Sequence, residues 1–319
     1  MPDRPGMPAA RRAARDTGSG TLLCIGNLTI DEVVAPSGER VEAVGGDALF
    51  AALAARLAGG DPRLLAPVGT DVTDALLAAV RVAGTDPAGL PRRDLPTVRN
   101  VIHYDQFGGR VWELVHGKAH FEELSVQSGD IGDEAARASG VLLSAMALQA
   151  QIDLAAWLRP RTGATIYFDP QEDYVAGHQE ELLTAVAACD VFMPSEIEAV
   201  TLAGTSDLNA AARMFLSRGP RVVVIKLAAV GCLLASREHP EPIVVAPERV
   251  IVPMDSTGAG DAFCGGFAAE HLRSGDIFAA VEVGAAAAAV AISGPGINAL
   301  LTAVQDLDRV ARPAPAVSR

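Results

Sequence analysis

Residues 255–263 (DSTGAGDAF) place a carboxylate directly behind a glycine-rich turn. Residues 248–253 alternate charged residues with Val and Ile, which predicts a strand, and residues 262–273 predict a helix. The turn between them consists of three small residues, Gly258, Ala259 and Gly260. Unpaired backbone N–H groups and the helix dipole attract an anion to such a helix start, and small residues admit it closely. The segment therefore predicts an anion-binding turn.

Asp261 lies in the first turn of this predicted helix, beside the expected anion. Most carboxylates at such a position only complement the helix dipole or cap the helix. An acceptor-only side chain does not help to bind phosphate. It can, however, take a proton from a hydroxyl that attacks a phosphoryl group, while the amides stabilise the transferring oxygens. We therefore expect Asp261 to be a general base in phosphoryl transfer.

This nine-residue run resembles the signature of the ribokinase-like carbohydrate kinases, the phosphofructokinase-B family. A lone Gly-x-Gly pair is frequent, whereas an ordered run in a strand–turn–helix context is specific. The resemblance implies an α/β fold of three layers, with a mainly parallel central sheet, helices on both faces and a small β-sheet lid. It also implies ATP and Mg²⁺. Thr257 is expected at the nucleotide and Asp255 at a monovalent cation such as K⁺.

The composition is that of a globular enzyme. Its 319 residues are 50% apolar, which is enough for a large core, and the net charge of −13 opposes contact with nucleic acid or anionic lipid. The longest apolar run, residues 278–292, contains Glu282 and is shorter than the roughly 20 residues of a membrane span. Four separated cysteines fit small core residues in a reducing compartment, so we expect a cytoplasmic protein.

The chain is predicted to hold one kinase domain, residues 21–312, between two tails. Residues 1–20 contain arginine, proline and glycine without an apolar segment, which predicts a disordered tail and not a signal peptide. Residues 313–319 form the C-terminal tail. The lid strands are expected from about residues 27–44 and 97–121, the second around a Gly-Gly hairpin turn. Exposed lid edges favour a homodimer.

Elsewhere, short apolar strands alternate with helices, which favours a parallel sheet covered on both faces. The predicted strands of this sheet are residues 21–26, 141–143, 165–169, 191–193 and 222–225.

Asp31, Gly45 and Gly46 match the family's first signature, in which an Asp binds substrate hydroxyls and a Gly-Gly turn approaches the sugar. From the residues alone, Asp31 also fits the solvated face of a strand, and the glycines fit an ordinary turn. Asp47 either reaches a substrate hydroxyl or caps the following helix. We expect these residues at the acceptor.

Two further positions concern the acceptor. Phe50 stands where many relatives carry an Asn that contacts the sugar, and an aromatic ring cannot replace the hydrogen bonds of an amide. A nucleoside is therefore an alternative to ribose or fructose derivatives, because Phe50 could pack against a base; it also fits a plain core residue. Arg110 follows the hairpin turn and either clamps a substrate oxygen or lies on the lid surface.

The nucleotide side is expected from two later segments. Ser195 and Glu198 resemble the family's Asn-x-x-Glu, in which the Glu holds the water network around Mg²⁺; they also form the capping box Ser-x-x-Glu. Lys226 and Gly231 resemble the nucleotide-binding loop, with the lysine near a phosphate. Ala285 stands where several relatives have an Asn near the adenine. No Walker A sequence occurs.

The expected activity is ATP-dependent phosphorylation of a hydroxymethyl group on a sugar or nucleoside. One alternative is a catalytically weak sensing or interaction protein on the same fold, with the departures at Phe50, Ser195 and Ala285 marking lost chemistry. Another is a sugar-phosphate kinase, which needs a second cationic cluster near Arg110 and Lys118.

Overall fold

The computed structural model describes residues 20–104 and 110–311. Its larger sheet consists of β1 (Thr21–Ile25), β4 (Asp61–Leu65), β7 (Gly140–Leu143), β8 (Thr165–Phe168), β9 (Val191–Phe192), β10 (Val222–Lys226), β11 (Cys232–Ser236) and β12 (Ile243–Val245). These strands lie in the order β12–β11–β10–β9–β8–β7–β1–β4. Only the pairs β10–β11 and β11–β12 are antiparallel. The predicted, mainly parallel sheet is confirmed.

Helices cover both faces of this sheet. The helices of the described residues are α1 (Asp47–Leu57), α2 (Asp74–Val82), α3 (Gly117–Glu123), α4 (Glu134–Arg137), α5 (Leu148–Leu158), α6 (Gln179–Ala188), α7 (Glu196–Ala203), α8 (Leu208–Arg218), α9 (Ala259–Ser274), α10 (Ile277–Ala291) and α11 (Asn298–Ala311), of which α3 packs on the small sheet. In β1, Leu22 and Cys24 join a core with α1, α9 and α10, whereas Leu23 and Ile25 join a second core with α5, α6 and α8. Because side chains alternate along a strand, the sheet is buried on both sides.

A separate four-stranded sheet consists of β2 (Thr29–Val34), β3 (Arg40–Gly45), β5 (Val98–Tyr104) and β6 (Arg110–Leu114). Its order is β3–β2–β5–β6. It comes from the two regions predicted for the lid, but the second region ends differently, because α3 begins at Gly117 where a lid strand was expected. The predicted Gly108-Gly109 turn lies outside the described residues.

Helix α9 begins at Ala259, three residues before its predicted start, so Asp261 lies in its first turn. Gly258 precedes the helix with φ of 72°, a left-handed conformation that favours glycine. Farther along, a Cβ atom on Gly265 would lie 2.0 Å from the carbonyl oxygen of Ala51. Glycine thus lets α9 pack directly on α1, and this contact brings Phe50 of α1 under the start of α9.

The strand predicted at residues 248–253 is wrong. The backbone there is irregular, and Val250 and Val252 are 66% and 94% exposed. Alternating apolar residues form a strand where a neighbour covers one face, and Pro253 has no N–H group to donate to a ladder. The chain pairs earlier instead, in β12, which ends at Val245.

All four cysteines are buried and unpaired, as predicted for small core residues. Over the described ranges, no helix has both the length and the apolar character that a membrane span requires. Apart from Gly20, the predicted tails at residues 1–20 and 313–319 lie outside the described residues.

Candidate active site

The start of α9 forms one wall of a cavity of 860 Å³, called the large cavity here. Its wall includes Gly258, Ala259, Gly260 and Asp261. A Cβ atom on Gly258 would lie only 2.2 Å from Cδ1 of Phe50, so this position requires glycine for space as well as for its φ angle. Amides in the first turn of a helix have no acceptor within the helix. The predicted anion-binding turn therefore faces an open cavity.

Asp261 lies between this cavity and a smaller one of 80 Å³, the small cavity, because it lines both. Asp47, Trp112 and Gln171 also line both. A carboxylate on a shared wall can contact a group in either space. This placement is what a base needs if a phosphoryl donor occupies one cavity and an acceptor hydroxyl the other.

Asp47 is a second carboxyl group on this shared wall. Burial, and then the negative charge of Asp261, raise the pKa of Asp47 well above its usual range; Asp169 and Asp31 add to the effect. Two close carboxylates do not both ionise readily. This arrangement favours a protonated Asp47, which can donate a hydrogen bond to an acceptor oxygen, beside Asp261.

Asp31 is buried in the small sheet, where its Oδ2 accepts from Thr29 Oγ1 at 2.9 Å and its Oδ1 from Asn100 Nδ2 at 2.8 Å. Burial raises the pKa of Asp31 to about 6, although these hydrogen bonds oppose the shift. Asn100 lines the small cavity, whereas Asp31 does not. Asn100 is 6% exposed, and its Oδ1 has no hydrogen-bond partner among the described residues. A buried, unsatisfied acceptor is costly unless a ligand pairs with it.

Neighbouring atoms of the same chain leave no space for a side chain at Gly45 or Gly46. A Cβ atom on Gly45 would lie 2.9 Å from Oδ2 of Asp31, and one on Gly46 would lie 2.2 Å from the carbonyl oxygen of Asn27. Gly46 also has φ of 113°. Both positions therefore need glycine for the turn itself, and the predicted contact with a sugar stays a prediction.

Aromatic rings surround the small cavity. Phe50 is 3% exposed, so it is a core residue, yet its ring also lines the cavity. Phe121 lines the cavity from α3, and Trp112 of β6 lines it with 46% of its surface exposed. A half-exposed indole on a lid strand can stack on a flat ligand. The side chain of Arg110, at the start of β6, lies outside the described residues.

Lys226, at the end of β10, lines the large cavity and is ion-paired with Asp169, with Nζ 2.5 Å from Oδ1. Burial opposes the charge on Lys226, but Asp169, then Cys264 and Glu198, raise its pKa above the usual range. A Cβ atom on Gly260 would lie 3.4 Å from Nζ. The predicted phosphate-binding lysine thus lies under the anion-binding turn, fully charged.

Ser195 and Glu198 form the predicted capping box at the start of α7. Glu198 Oε2 accepts from the Ser195 amide at 2.6 Å, and Ser195 Oγ accepts from the Glu198 amide at 3.3 Å. Burial raises the pKa of Glu198 to about 7, with Lys226 opposing the shift. Both residues line the large cavity, so the capping role and a role near a metal are compatible.

A third space, the apolar cavity of 290 Å³, lies beside Gly260 and Lys226. Alanine, valine, isoleucine and proline side chains dominate its walls, and Ala285 of α10 is among them. Gly231 also lines it; its φ is 107°, and a Cβ atom there would lie 2.1 Å from the carbonyl oxygen of Val245. Glycine at this position therefore allows β12 to pair with β11, because any side chain would collide with the end of β12. A flat, apolar base fits such a pocket.

Asp255 accepts hydrogen bonds from three directions. Its Oδ1 accepts from Tyr104 Oη at 2.7 Å and from the Thr257 amide at 2.8 Å, and its Oδ2 accepts from the Gly296 amide at 2.8 Å. Burial acts to raise its pKa, but these hydrogen bonds lower it below the usual range. These three donors already stabilise the negative charge of Asp255 without a cation. The monovalent cation expected at Asp255 therefore stays a prediction.

Among the residues the structure describes, no group of three or more His, Cys, Asp or Glu side chains could hold a metal by itself. Carboxyl groups nevertheless predominate among the charged side chains that line the large cavity, with Asp47, Asp169, Glu198 and Asp261 among them. Lys226 is the only basic side chain among its described lining residues. A polyphosphate entering this space needs additional positive charge, which a divalent cation bound to the phosphates supplies.

The model of the pfkB carbohydrate kinase family matches residues 21–303. The chain belongs to this family. PfkB membership makes it a carbohydrate or nucleoside kinase, as the sequence predicts. A cytidine kinase from Thermococcus kodakarensis is 29% identical over 268 residues, which cover 82% of this chain and 92% of that relative.

Solved structures agree on the pfkB fold. An adenosine kinase from Sinorhizobium meliloti has a TM-score of 0.76 at 19% identity, over 91% of this chain and 100% of that one. A fructokinase with bound ATP from Xylella fastidiosa has a TM-score of 0.73 at 20% identity, over 91% of this chain and 99% of that one. These likenesses confirm the ribokinase-like three-layer fold with its separate small sheet.

Within this pfkB fold, the large cavity brings together the predicted turn, Asp47, Ser195, Glu198 and Lys226. The sequence analysis missed five residues of the site: Asn100, Tyr104, Trp112, Phe121 and Gln171. Trp112 could have been predicted, because a bulky aromatic residue on a strand expected to cover the substrate is a candidate for substrate contact. The others come from separate segments, and nothing local in the sequence indicates that they converge.

Proposed function

We propose that this protein transfers the γ-phosphoryl group of ATP to a hydroxymethyl group of a nucleoside or sugar, with Asp261 as general base. The observation that carries the proposal is the position of Asp261, on the wall shared by the large and small cavities and in the first turn of α9. Donor and acceptor can thus meet at one carboxylate beside one set of amides.

In this reaction, Asp261 takes the proton as the O–H bond of the acceptor breaks. The acceptor oxygen forms a bond to the γ-phosphorus, and the bond from that phosphorus to the bridging oxygen breaks. ADP leaves with the electron pair. The amides of Gly258, Ala259 and Gly260 donate to the transferring oxygens, where negative charge is spread in the transition state.

Lys226 and Glu198 serve the phosphates of the donor. Lys226 lies under the turn and is ion-paired with Asp169. Its ammonium group can exchange this carboxylate for a phosphate oxygen, because both partners are negatively charged. Glu198, fixed through Ser195, would hold water around a phosphate-bound Mg²⁺. Bound Mg²⁺ supplies charge neutralisation in this acidic cavity. Asp255 and Thr257 hold the loop that precedes the anion-binding turn. Asp255 is also the proposed binding site for K⁺.

ATP is the proposed donor, and the apolar cavity beside Gly231 receives its base. The fructokinase of the same fold contains ATP, which supports this choice. Because the apolar cavity adjoins the large cavity at Lys226, Ser256, Ala259 and Gly260, a base and its phosphates can occupy the two spaces together.

A nucleoside is the favoured acceptor. Phe50, Trp112 and Phe121 provide flat apolar surface around the small cavity, and Asn100 offers an unpaired acceptor that a sugar hydroxyl or a base amine can satisfy. The cytidine kinase relative supports this class. Among the described residues lining the small cavity, none is basic. Lys118 lies instead 5.1 Å from the centre of the Tyr174 ring. This argues against a sugar phosphate.

Two further expectations remain proposals. A homodimer would cover the apolar side chains exposed on the small sheet, such as Val41 and Val111, at 54% and 71% exposure. A cytoplasmic location suits the four buried, unpaired cysteines.

The test of the proposed function is release of ADP from ATP and Mg²⁺ across an acceptor panel. Cytidine, uridine, adenosine, ribose, deoxyribose, fructose, an inositol and ribose 5-phosphate are compared, in potassium and in choline chloride. We expect turnover with a nucleoside and a product phosphorylated on its hydroxymethyl group. No turnover with any acceptor, in folded protein that binds ATP, would favour the sensing protein instead. Turnover with the sugar phosphate alone would refute the acceptor class.

A further inference from the structure

A separate cavity lies at the opposite edge of the large sheet from the candidate active site. Its volume is 730 Å³, and its wall includes the first residues of three parallel strands, Thr165, Val191 and Val222. Asp169 and Lys226 of the large cavity lie instead where two of these strands end. This space, called the remote cavity here, shares no described lining residue with the large, small or apolar cavity.

Arginine side chains distinguish the remote cavity from the active site. Arg159, Arg221 and Arg237 line it, whereas Lys226 is the single described basic residue of the large cavity. The guanidinium group of Arg221 makes no hydrogen bond or ion pair within the described parts of the chain. In a protein with a net charge of −13, an uncompensated guanidinium group in a cavity is a candidate ligand for an anion.

Arg221 and Arg237 lie opposite each other where β10 meets β11. The Arg237 amide donates to the Arg221 carbonyl oxygen at 2.9 Å, one residue beyond the pair of Val222 with Ser236. Two carbonyl oxygens of the loop before β10 accept from the Arg237 guanidinium group, at 2.6 and 3.2 Å, and hold it there. Like charges at opposed positions destabilise an antiparallel pair. An anion bound by both arginines would remove this cost.

The carboxyl groups of the remote cavity are mostly engaged in other contacts. Asp190 Oδ2 accepts from Arg159 and from the amide of Ile166, each at 2.9 Å. Asp276 Oδ1 accepts from two amides at the start of α10, at 2.9 and 3.2 Å, and so caps this helix. Glu238 is exposed, where water and salt screen its charge. The positive charge of the two opposed arginines is therefore not neutralised by a bound carboxylate.

The remote cavity also offers a flat surface. Phe278, in the first turn of α10, lines it with 39% of its surface exposed, and the ring of His239 lies 6.3 Å away between centroids. An exposed aromatic ring can stack on a flat ligand. His271 lines the cavity too; burial lowers its pKa, so this ring is neutral and can hydrogen-bond without adding charge. The volume is typical of a small-molecule site.

We propose that the remote cavity is a second ligand site, which binds a nucleoside monophosphate. Arg221 and Arg237 hold the phosphate, and Phe278 stacks on the base. Two guanidinium groups match the charge of a phosphate monoester, about two negative charges at neutral pH, and their planar donors suit its oxygens. The proposed reaction on a nucleoside yields a compound of this class, but the site itself does not depend on the proposed kinase function.

Hydrogen–deuterium exchange locates the bound ligand without any requirement for turnover. Cytidine 5′-monophosphate (CMP) is added to the wild-type protein, with cytidine and inorganic phosphate as separate probes. We expect CMP to slow exchange in residues 236–239 and 274–279, which border the remote cavity. Cytidine should leave these segments unchanged, because it has no phosphate. Protection by CMP that is confined to residues 255–263, or absent, would overturn the inference.

Arg221→Gln removes the unpaired guanidinium group. We expect the Kd of CMP at the remote cavity to rise at least about tenfold, because charge-assisted hydrogen bonds are lost. Without ligand, the variant should melt no lower than the wild type, since a like-charge contact is removed. Arg218→Gln is the matched control: Arg218 is exposed at the end of α8 and does not line the cavity. Unchanged CMP protection in Arg221→Gln would contradict the proposed site.

Phe278→Ala tests the class of ligand separately. This variant should weaken the binding of CMP and leave the binding of inorganic phosphate unchanged, because only the stacking surface is lost. Inorganic phosphate that binds the wild type as tightly as CMP would show an anion site without nucleoside recognition and would refute the proposed ligand. Failure of the proposed kinase reaction is seen independently, as absence of turnover in the acceptor panel.

Discussion

The donor side and the acceptor side of this candidate active site are formed by different kinds of sequence segment. The donor side is contiguous: residues 255–263 supply the turn and the proposed base, at the start of a helix of 16 residues packed against α1 and α10. The acceptor side is assembled from separate segments, with Thr29, Asn100, Trp112, Phe121 and Gln171 meeting at the small cavity. On the first side, the contacts proposed for the phosphates come mainly from backbone amides. On the second side, the contacts proposed for the acceptor come from side chains.

Charge separates the two sides as well. Carboxyl groups line both cavities, but the large cavity also contains Lys226 beside the positive end of α9, and no described residue of the small cavity is basic. Lys226 and the helix start therefore suit a polyphosphate that brings its own divalent cation, and an uncharged hydroxyl compound suits the small cavity. In the proposed mechanism, the type of reaction depends on the backbone and the carboxylate of one helix start, whereas the choice of acceptor depends on side chains from separate segments.

The largest effect expected on the acceptor side concerns pH. Ionised Asp31 holds the amide of Asn100 so that its oxygen is free for the acceptor. With a pKa of about 6, Asp31 is ionised above this pH and becomes protonated as the pH falls through it. At saturating ATP, we expect the acceptor KM to rise about tenfold at one pH unit below the pKa.

In Asp31→Asn, the acceptor KM should be high at every pH and independent of pH in this range. Glu32→Gln is the matched control on the same strand: Glu32 is ion-paired with Arg40 at 2.7 Å, and its side chain is 39% exposed, unlike the buried Asp31. This control should keep the wild-type pH profile. A flat profile in the wild type, or an unchanged one in Asp31→Asn, would show that Asp31 does not govern acceptor binding.

A smaller effect is expected on the donor side. The described polar side chains around the apolar cavity are those of Lys226, Arg249 and Ser256, so shape more than hydrogen bonding selects the base. An apolar pocket discriminates weakly between ligands of similar shape. We expect KM values for ATP and GTP within about fivefold of each other.

Ala285→Asn would add hydrogen-bonding groups to this cavity and should widen the difference between ATP and GTP. Ala286→Asn is the control, because Ala286 is exposed on the same helix and does not line the cavity. A preference for ATP of more than about a hundredfold in the wild type would mean that backbone groups recognise the base.

The donor side was predictable because its chemistry is local in the chain. A glycine-rich turn, a helix start within three residues of the observed one and a carboxylate in its first turn were all predicted from residues 255–263. The alternation of apolar strands with helices likewise predicted the large sheet. The capping box at Ser195 and Glu198 has the same local character, and its predicted hydrogen bonds are present.

The acceptor side was not predictable to the same degree, because convergence of distant side chains is a tertiary property. Phe50 illustrates this: its ring lies against Gly258, a contact across about two hundred residues that no local pattern indicates. The strand expected at residues 248–253 failed for a related reason. Alternation predicts a strand only if a partner is present, and here Val252 is 94% exposed while Val250 lines the apolar cavity instead of a sheet.

The most direct test of the account is turnover by Asp261→Asn. Asp74→Asn is its control, since Asp74 is also a first-turn aspartate, on the exposed surface of α2. We expect kcat to fall by about 10² to 10⁴ in Asp261→Asn, with the ATP Kd unchanged, because a positioned base is lost and the phosphate contacts remain. The control should retain full activity. Wild-type turnover in Asp261→Asn would contradict the central claim that this carboxylate takes the proton of the acceptor.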